Sequence, residues 1–332
     1  MDLEERILQQ AQRQVPARVS EGMAQRALAG RGLTGEQEAA AVRLLTATTA
    51  VSILTAPAGA GKTRTVGAYA SAWITLTGRR VIGITTAENA ARQMAAEGLA
   101  EVCNSAAFLG KTAGSDQLRY PVQISAGDVL VLDESSMIST ADLALIMDYA
   151  DRAGALVVPT GDASQLGPVE AGGMFPALIR ELGAAELSEV MRFRAEWERD
   201  ASIRLRIGDF STVASYDRRG RIRAGDREAA YARAAGAWLA DHLQGKDALV
   251  VAGSNEEAAE LARRVQAQLV TMGTVVQPRA PLADGNRAGT GGLIRARLNT
   301  TIDAGGQRLT NRDVLRIEGW QGQDAEVTRR TA

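Results

Sequence analysis

Val51-Ser52-Ile53-Leu54-Thr55-Ala56-Pro57-Ala58-Gly59-Ala60-Gly61-Lys62-Thr63 is the stretch on which the fold turns. An apolar run ends in a proline and a glycine-rich bend, and the residues after it pattern as a helix over roughly 62–77. Glycines at a strand-to-helix bend let backbone N–H groups converge on an anion, and the first turn of the helix adds a favourable dipole. Lys62 is then placed to reach β- and γ-phosphates, and the Thr63 hydroxyl to ligate Mg2+. Only three of the 38 basic residues are lysines (Lys62, Lys111 and Lys246), so a lysine at this bend stands out. Ala56 departs from the usual pattern, which has glycine there. A glycine-rich turn without a ligand is the alternative reading.

Outward from this bend, short β-branched runs alternate with helical patterns. Val81–Thr85, Asp128–Glu134 and Ala155–Asp162 read as strands, with helices predicted over 89–98 and 140–152. Runs without polar alternation suit strands buried on both faces, and helices between them imply right-handed parallel crossovers. The fold class expected is therefore α/β, a doubly wound parallel sheet. Residues 1–30 read as polar helices, and Leu33-Thr34-Gly35-Glu36-Gln37 as a cap before a helix over Ala39–Leu45. Residues 196–245 are charged and helical. A second strand–helix unit is expected at Asp247–Ala252 and Asn255–Val270. Leu293–Leu298 and Asp313–Ile317 alternate apolar and basic residues around Asp303-Ala304-Gly305-Gly306, the pattern of small antiparallel β structure. The stretch 278–292 is the best linker candidate.

Composition narrows the chemistry. The 332 residues suffice for about two domains of ordinary size. With 45% hydrophobic and 23% charged residues the chain is globular in balance, and no apolar run is long enough to span a bilayer. The N-terminus carries no signal pattern, so a cytoplasmic location is expected. A lone Cys103 forbids an intrachain disulfide, and a lone His242 excludes any mechanism that needs two histidines. The net charge of −1 predicts no whole-molecule attraction to nucleic acid. Aromatics are only 4% of the chain, which argues against an extended base-stacking platform, although Phe108, Phe175, Phe193, Trp197 and Trp320 are candidates. Arg295, Arg297 and Arg316 could form a basic strand face for phosphates, or a solvated one.

Asp133-Glu134 ends a hydrophobic strand. A carboxylate at the C-terminal tip of a neighbouring parallel strand would sit across from Thr63 and hold a metal, leaving Glu134 to orient and deprotonate an attacking water. An acidic strand end that caps the next helix is the alternative. Gly161-Asp162-Ala163-Ser164-Gln165-Leu166 closes the next strand, where a polar amide can sense a γ-phosphate.

Taken together, Leu33–Gln37, Ala58–Thr63, Thr85–Ala91, Asp133–Met137, Gly161–Pro168 and Glu189–Phe193 resemble, in order and spacing, the helicase part of superfamily 1 RecD-like motors. The similarity is greatest to the TraI/TrwC/TraA-type (MobF) conjugative relaxase-helicases. The resemblance implies a P-loop NTPase, RecA-like domain over 33–195 behind an N-terminal helical segment at 1–32. It further implies a partial second RecA-like lobe over 196–277 and a small barrel-like β segment over 278–332. It implies ATP and Mg2+ as cofactors, with Gln37 reading adenine and Pro57, Ala58, Gly59, Ala60, Gly61, Lys62, Thr63 and Arg64 forming the nucleotide cradle. Thr63 and Asp133 would hold the metal, while Lys62, Glu134, Gln165 and Arg192 would act in catalysis. Thr86, Asn89 and Ser105 fall where the family grips single-stranded DNA. Partners implied are single-stranded DNA and conjugation or relaxosome proteins. The family's last two motifs have no counterpart before Ala332, which leads to an expectation of weak ATPase and little unwinding. The three-histidine centre of the DNA-nicking domain cannot be built from one histidine. An ATP-binding module without productive turnover is the alternative from a different class, and a phosphate-loop kinase or GTPase is a third.

Overall fold

The computed structural model describes residues 2–86, 91, 94–110, 122–165, 167, 173–276, 279–297, 300–302, 307–309, 313–322 and 324–329. Two compact units divide the chain, residues 1–212 and 213–332.

The first unit is built on a six-stranded parallel sheet. Its strands are β1 (Leu54–Thr55), β2 (Val81–Thr85), β3 (Glu101–Asn104), β4 (Val129–Leu132), β5 (Leu156–Gly161) and β6 (Ala185–Glu186), in the order β3-β2-β4-β5-β1-β6. Every neighbouring pair runs parallel. All residues of β2 and β4 are buried, which is why these segments read as unbroken apolar runs. Each fully buried aliphatic side chain contributes about 1.5–3 kcal/mol.

Helices cover both faces. On one face α2 (Glu21–Leu28), α3 (Gly35–Leu45) and α4 (Lys62–Thr77) close a core that includes Leu28, Leu44, Tyr69 and Trp73. On the other, α1 (Leu3–Ala11) and the helices Thr140–Ala153 and Met174–Leu182 surround Ile7, Leu130, Leu132, Met147 and Phe175. The N-terminal helix is thus part of this core rather than a separate segment. It is pinned to the Thr140–Ala153 helix by Gln10 donating to Asp148 at 2.8 Å and by the Arg6–Asp148 pair at 3.2 Å. Phe108 and Phe175, candidates for base stacking, are core residues here.

The unit runs past 195, the expected boundary. The helix Glu196–Arg206 is tied back by Arg206, whose guanidinium makes a 2.5 Å hydrogen bond with Asp162 at the end of β5.

In the second unit, the helices Arg227–Leu243 and Asn255–Thr271 are joined by Arg264, which pairs with Glu228 at 2.7 Å and Glu260 at 2.6 Å. The expected strand at 247–252 does not form. A strand exists only beside a hydrogen-bonded neighbouring strand, and among the described residues no strand pairs with this run, whose Leu249 and Val251 are 68% and 82% exposed. The small antiparallel β structure is present: Leu293–Arg295 pairs with Val314–Gln321, which pairs in turn with Asp324–Arg329. Thr300–Ile302 pairs with Gln307–Leu309, and the turn expected at 303–306 lies outside the described residues. The stretch expected as a linker is instead a small hairpin, Ala280–Pro281 against Arg287–Ala288, joined to the β structure by Gly291 N–H donating to the Ile317 carbonyl at 2.7 Å.

Candidate functional site: the phosphate loop and its acidic partner

The bend after β1 is held by backbone geometry that favours glycine. Gly59 and Gly61 have φ of +87° and +83°, left-handed values that L side chains rarely adopt. Ala56, where the usual pattern has glycine, is buried and prolongs the β1–β5 ladder by donating to the Gly161 carbonyl at 2.9 Å. A side chain is tolerated there because the segment is still strand. Past Gly61, α4 begins at Lys62, so its first N–H groups lack intrahelical acceptors and point toward the bend.

Lys62 crosses to the tip of β4. Its Nζ lies 2.9 Å from Asp133 Oδ1 and 3.0 Å from Glu134 Oε1. The strand that bears these carboxylates is not adjacent to β1, contrary to expectation, because β5 lies between them. The long lysine chain spans that gap, and β5 supplies Thr160, whose hydroxyl donates to Asp133 Oδ1 at 3.1 Å. Burial alone would lower the Lys62 pKa, but the charges of Asp133 and Glu134 outweigh it and hold the ammonium above its ordinary value. Lys62 is therefore a permanent cation at neutral pH.

Glu134 has φ of +52°, and it is the sole non-glycine with positive φ among the described residues. Such backbone strain clusters at functional positions. One of its oxygens faces Lys62, and Oε2 is buried with no hydrogen-bond partner. An acceptor left open beside a fixed cation suits a water-orienting base. These donors also suit Mg2+-ATP: a hydroxyl at Thr63 and a carboxylate at Asp133 are the hard oxygen ligands magnesium takes, and the glycine bend supplies N–H groups for phosphate.

Gln37 is buried, and both ends of its side-chain amide are bonded. Its oxygen accepts from Thr34 N–H at 3.1 Å, closing a capping box, and its amide donates to the Ala60 carbonyl at 3.1 Å. In this arrangement it braces the phosphate loop. Arg64 is exposed and donates to the Gly32 carbonyl at 2.9 Å. Pro57 and Ala60 are buried in the loop, while Ala58 is exposed. Arg192 lies over the bend, so that a Cβ built on Gly59 would stand 2.6 Å from Arg192 Cβ and 3.2 Å from its Nε. Gln165 is exposed just beyond β5, with its N–H donating to the Asp162 carbonyl at 3.2 Å. Thr85 pairs with Asn104, so Thr86 and Ser105 leave the same edge of the sheet side by side, both half-buried. Asn89 lies outside the described residues.

A cavity of about 910 Å³ in the second unit, lined by Trp238, His242, Leu261, Leu269 and Leu315 among others, shares no residue with this site. His242 stacks on Trp238 there, ring centroids 4.7 Å apart. In the β segment, Arg295 sits opposite Val314 and Arg316 opposite Leu293, which puts both arginines on one face of the sheet. Two acidic or glycine-loop neighbours escaped the sequence reading. Glu36, treated there as part of a cap, and Asp162, treated as part of a turn, both make multiple hydrogen bonds to distant segments. Only three-dimensional proximity reveals them, because their partners lie 152 and 44 residues away in sequence.

The parallel sheet, the glycine bend and the lysine–carboxylate convergence define a protein of the phosphate-loop NTPase fold. The AAA domain family profile matches residues 32–227, and the chain belongs to that family, in its superfamily 1 RecD-like branch. It is homologous to conjugal transfer proteins TraA: 33% identical over 77% of this chain to that of Agrobacterium fabrum (strain C58), and 34% identical over 66% to a probable TraA of Sinorhizobium fredii. The chain covers 23% and 19% of those relatives' lengths, about a fifth to a quarter of the curated relatives it matches. Among solved structures, Pif1 from Bacteroides sp in complex with ADP-AlF4 aligns with TM-score 0.46 and 14% identity, covering 90% of this chain and 72% of that one. Pif1 helicase from Candida albicans aligns with TM-score 0.42 and 20% identity, covering 56% and 47%. Among the described residues no helix is long and apolar enough to cross a membrane.

Proposed function

We propose that this chain is the ATP-binding and ATP-hydrolysing part of a DNA helicase or translocase of the conjugative relaxase-helicase kind, acting on single-stranded DNA in the cytoplasm beside conjugation or relaxosome proteins. The observation that carries the reading is the convergence of Lys62 with Asp133 and Glu134 within 3.0 Å at the mouth of a glycine bend. Thr63 and Asp133 would hold Mg2+, which would supply neutralisation of the phosphate charge. Lys62, paired with Asp133 and Glu134 in this structure, would meet the β- and γ-phosphates, so that Asp133 would be open to the metal and Glu134 to water. Glu134 then accepts the proton of the attacking water, a contribution of about 10²–10⁴ in rate for a positioned base. Arg192, already over the bend, meets charge developing on the transferred phosphoryl group. Gln165 sits where loss of that group is sensed. Thr86 and Ser105, at one edge of the sheet, contact the DNA backbone together with Asn89.

The test is phosphate release with and without single-stranded DNA, wild type against Lys62→Ala. DNA-stimulated release that falls to background in the variant supports the reading, and equal rates refute it. Tight nucleotide binding with no release, DNA present, would leave a binding module without turnover.

A further inference from the structure

The helix that carries Gln37 does more than brace the phosphate loop. Glu36, one residue earlier in the first turn of α3, reaches a segment 152 residues away. Its Oε1 accepts from both Ser188 N–H at 2.8 Å and the Ser188 hydroxyl at 2.6 Å, and its Oε2 accepts from Glu189 N–H at 3.1 Å. These bonds fill a gap in a longer run. Ala185 N–H donates to the Ile53 carbonyl at 2.8 Å, Leu187 N–H to Thr55 at 3.0 Å, and Met191 N–H to Gly59 at 2.8 Å. Residues 185–191 thus lie along 53–59, and Glu36 takes two of the three N–H groups between the backbone contacts at 187 and 191, those of Ser188 and Glu189. Arg192 follows directly.

From this geometry we propose that Glu36 is a positioning residue for Arg192. Its carboxylate fixes the path of 188–191 so that the guanidinium stands over the phosphate loop. Backbone N–H groups aligned on one carboxylate form charge-assisted bonds, which are shorter and stronger than neutral ones. With the neighbouring Gln37 amide on Ala60, a single helical turn therefore sets both walls of the triphosphate site: the loop through Gln37 and the arginine segment through Glu36. Aspartate in the first turn would serve the helix dipole equally well, but its side chain is one carbon shorter and does not offer two acceptor oxygens at that reach.

The inference rests on the ATP-hydrolysis reading, so its test separates the two. Glu36→Ala and Glu36→Gln are made in the wild-type and Arg192→Ala backgrounds. Affinities for ADP and for the non-hydrolysable adenylyl-imidodiphosphate are measured with Mg2+, together with kcat for DNA-stimulated phosphate release. We expect Glu36→Ala to lower kcat and the analogue-over-ADP preference by about ten- to a hundredfold, the scale of lost charged hydrogen bonds, with ADP affinity nearly unchanged. Glu36→Gln, which keeps one acceptor oxygen and the side chain's volume, falls between. In the Arg192→Ala background the same substitutions should change nothing further. Unchanged preference in Glu36→Ala, or an equal loss in both backgrounds, overturns the proposal. If the wild type prefers the analogue but releases no phosphate, the hydrolysis reading fails while the preference still tests Glu36. A wild type that binds neither nucleotide overturns both.

Discussion

Gly59→Ala is the substitution whose outcome the geometry fixes most tightly. Two separate costs meet at that residue. Its φ of +87° is left-handed, worth about 1–2 kcal/mol for any L side chain. The new methyl would also stand 2.6 Å from Arg192 Cβ. A Cβ cannot swing away as a side-chain tip can, so the backbone at 191–192 has to retreat, which breaks the 2.8 Å bond from Met191 N–H to the Gly59 carbonyl. Overpacking of this kind costs about 1–3 kcal/mol and the lost hydrogen bond about 0.5–1.5 kcal/mol. The total is about 2.5–6.5 kcal/mol. Gly78→Ala is the control: φ is +65° and nothing lies within 4 Å of its would-be Cβ, so only the conformational cost of about 1–2 kcal/mol remains. Hydrogen exchange at the buried amides of β4 and β5 reads the stability of the first unit alone. Adding Arg192→Gly to Gly59→Ala removes the collision and should return the loss to the Gly78→Ala level. Equal losses for the two single variants would refute the placement of the arginine segment on the phosphate loop.

Arg206→Met should destabilise the first unit by about 2–4 kcal/mol, since it strands the Asp162 carboxylate, only 6% exposed, while Arg206 itself is 27% exposed and so keeps part of its hydration. Arg206→Met with Asp162→Leu should recover most of that loss by the same exchange measurement, and a single variant within 0.5 kcal/mol of wild type, about the scatter of ordinary surface changes, would count against the pair. The Glu36 carboxyl gives a pH signature: burial would raise its pKa, but the hydrogen bonds from Ser188 and Glu189 outweigh that and hold it below the ordinary value. A group depressed in the folded state stabilises above its unfolded pKa of about 4.3 and loses that contribution as pH falls. The stability gap between wild type and Glu36→Gln should therefore be constant from neutral pH down to about 5 and narrow below it; a gap independent of pH down to 3 would show that the carboxylate form is not what binds.

The architecture was legible because parallel strands buried on both faces leave a plain mark. Val81–Thr85 and Val129–Leu132 need no polar residue on either side, and the bends between them need glycine or a cap. The strand expected at 247–252 shows where that signal stops being sufficient. Asp247-Ala248-Leu249-Val250-Val251-Ala252 is an apolar run behind an aspartate, as β4 is behind Asp128, yet pairing is a property of two segments, and one segment's sequence records only its half. The same limit placed Asp133 on a strand next to the phosphate loop, because nothing along the chain says which strand β5 will lie beside.

The site divides along the same line. Lys62, Asp133 and Glu134 were readable since each belongs to a short motif whose chemistry requires that residue type. Glu36 was not, because an acidic residue in a first helical turn is already explained by the helix dipole, and its true partners are backbone groups, which every residue type offers. What the sequence presents as a cap, Thr34 through Gln37, the structure also bonds to the phosphate loop at Ala60 and to the segment at Ser188 and Glu189. A motif of this kind is constrained twice, locally by helix initiation and at long range by the segment it holds. Substitutions that preserve the first function while destroying the second, Glu36→Gln above all, are the ones that will tell a cap from a clamp.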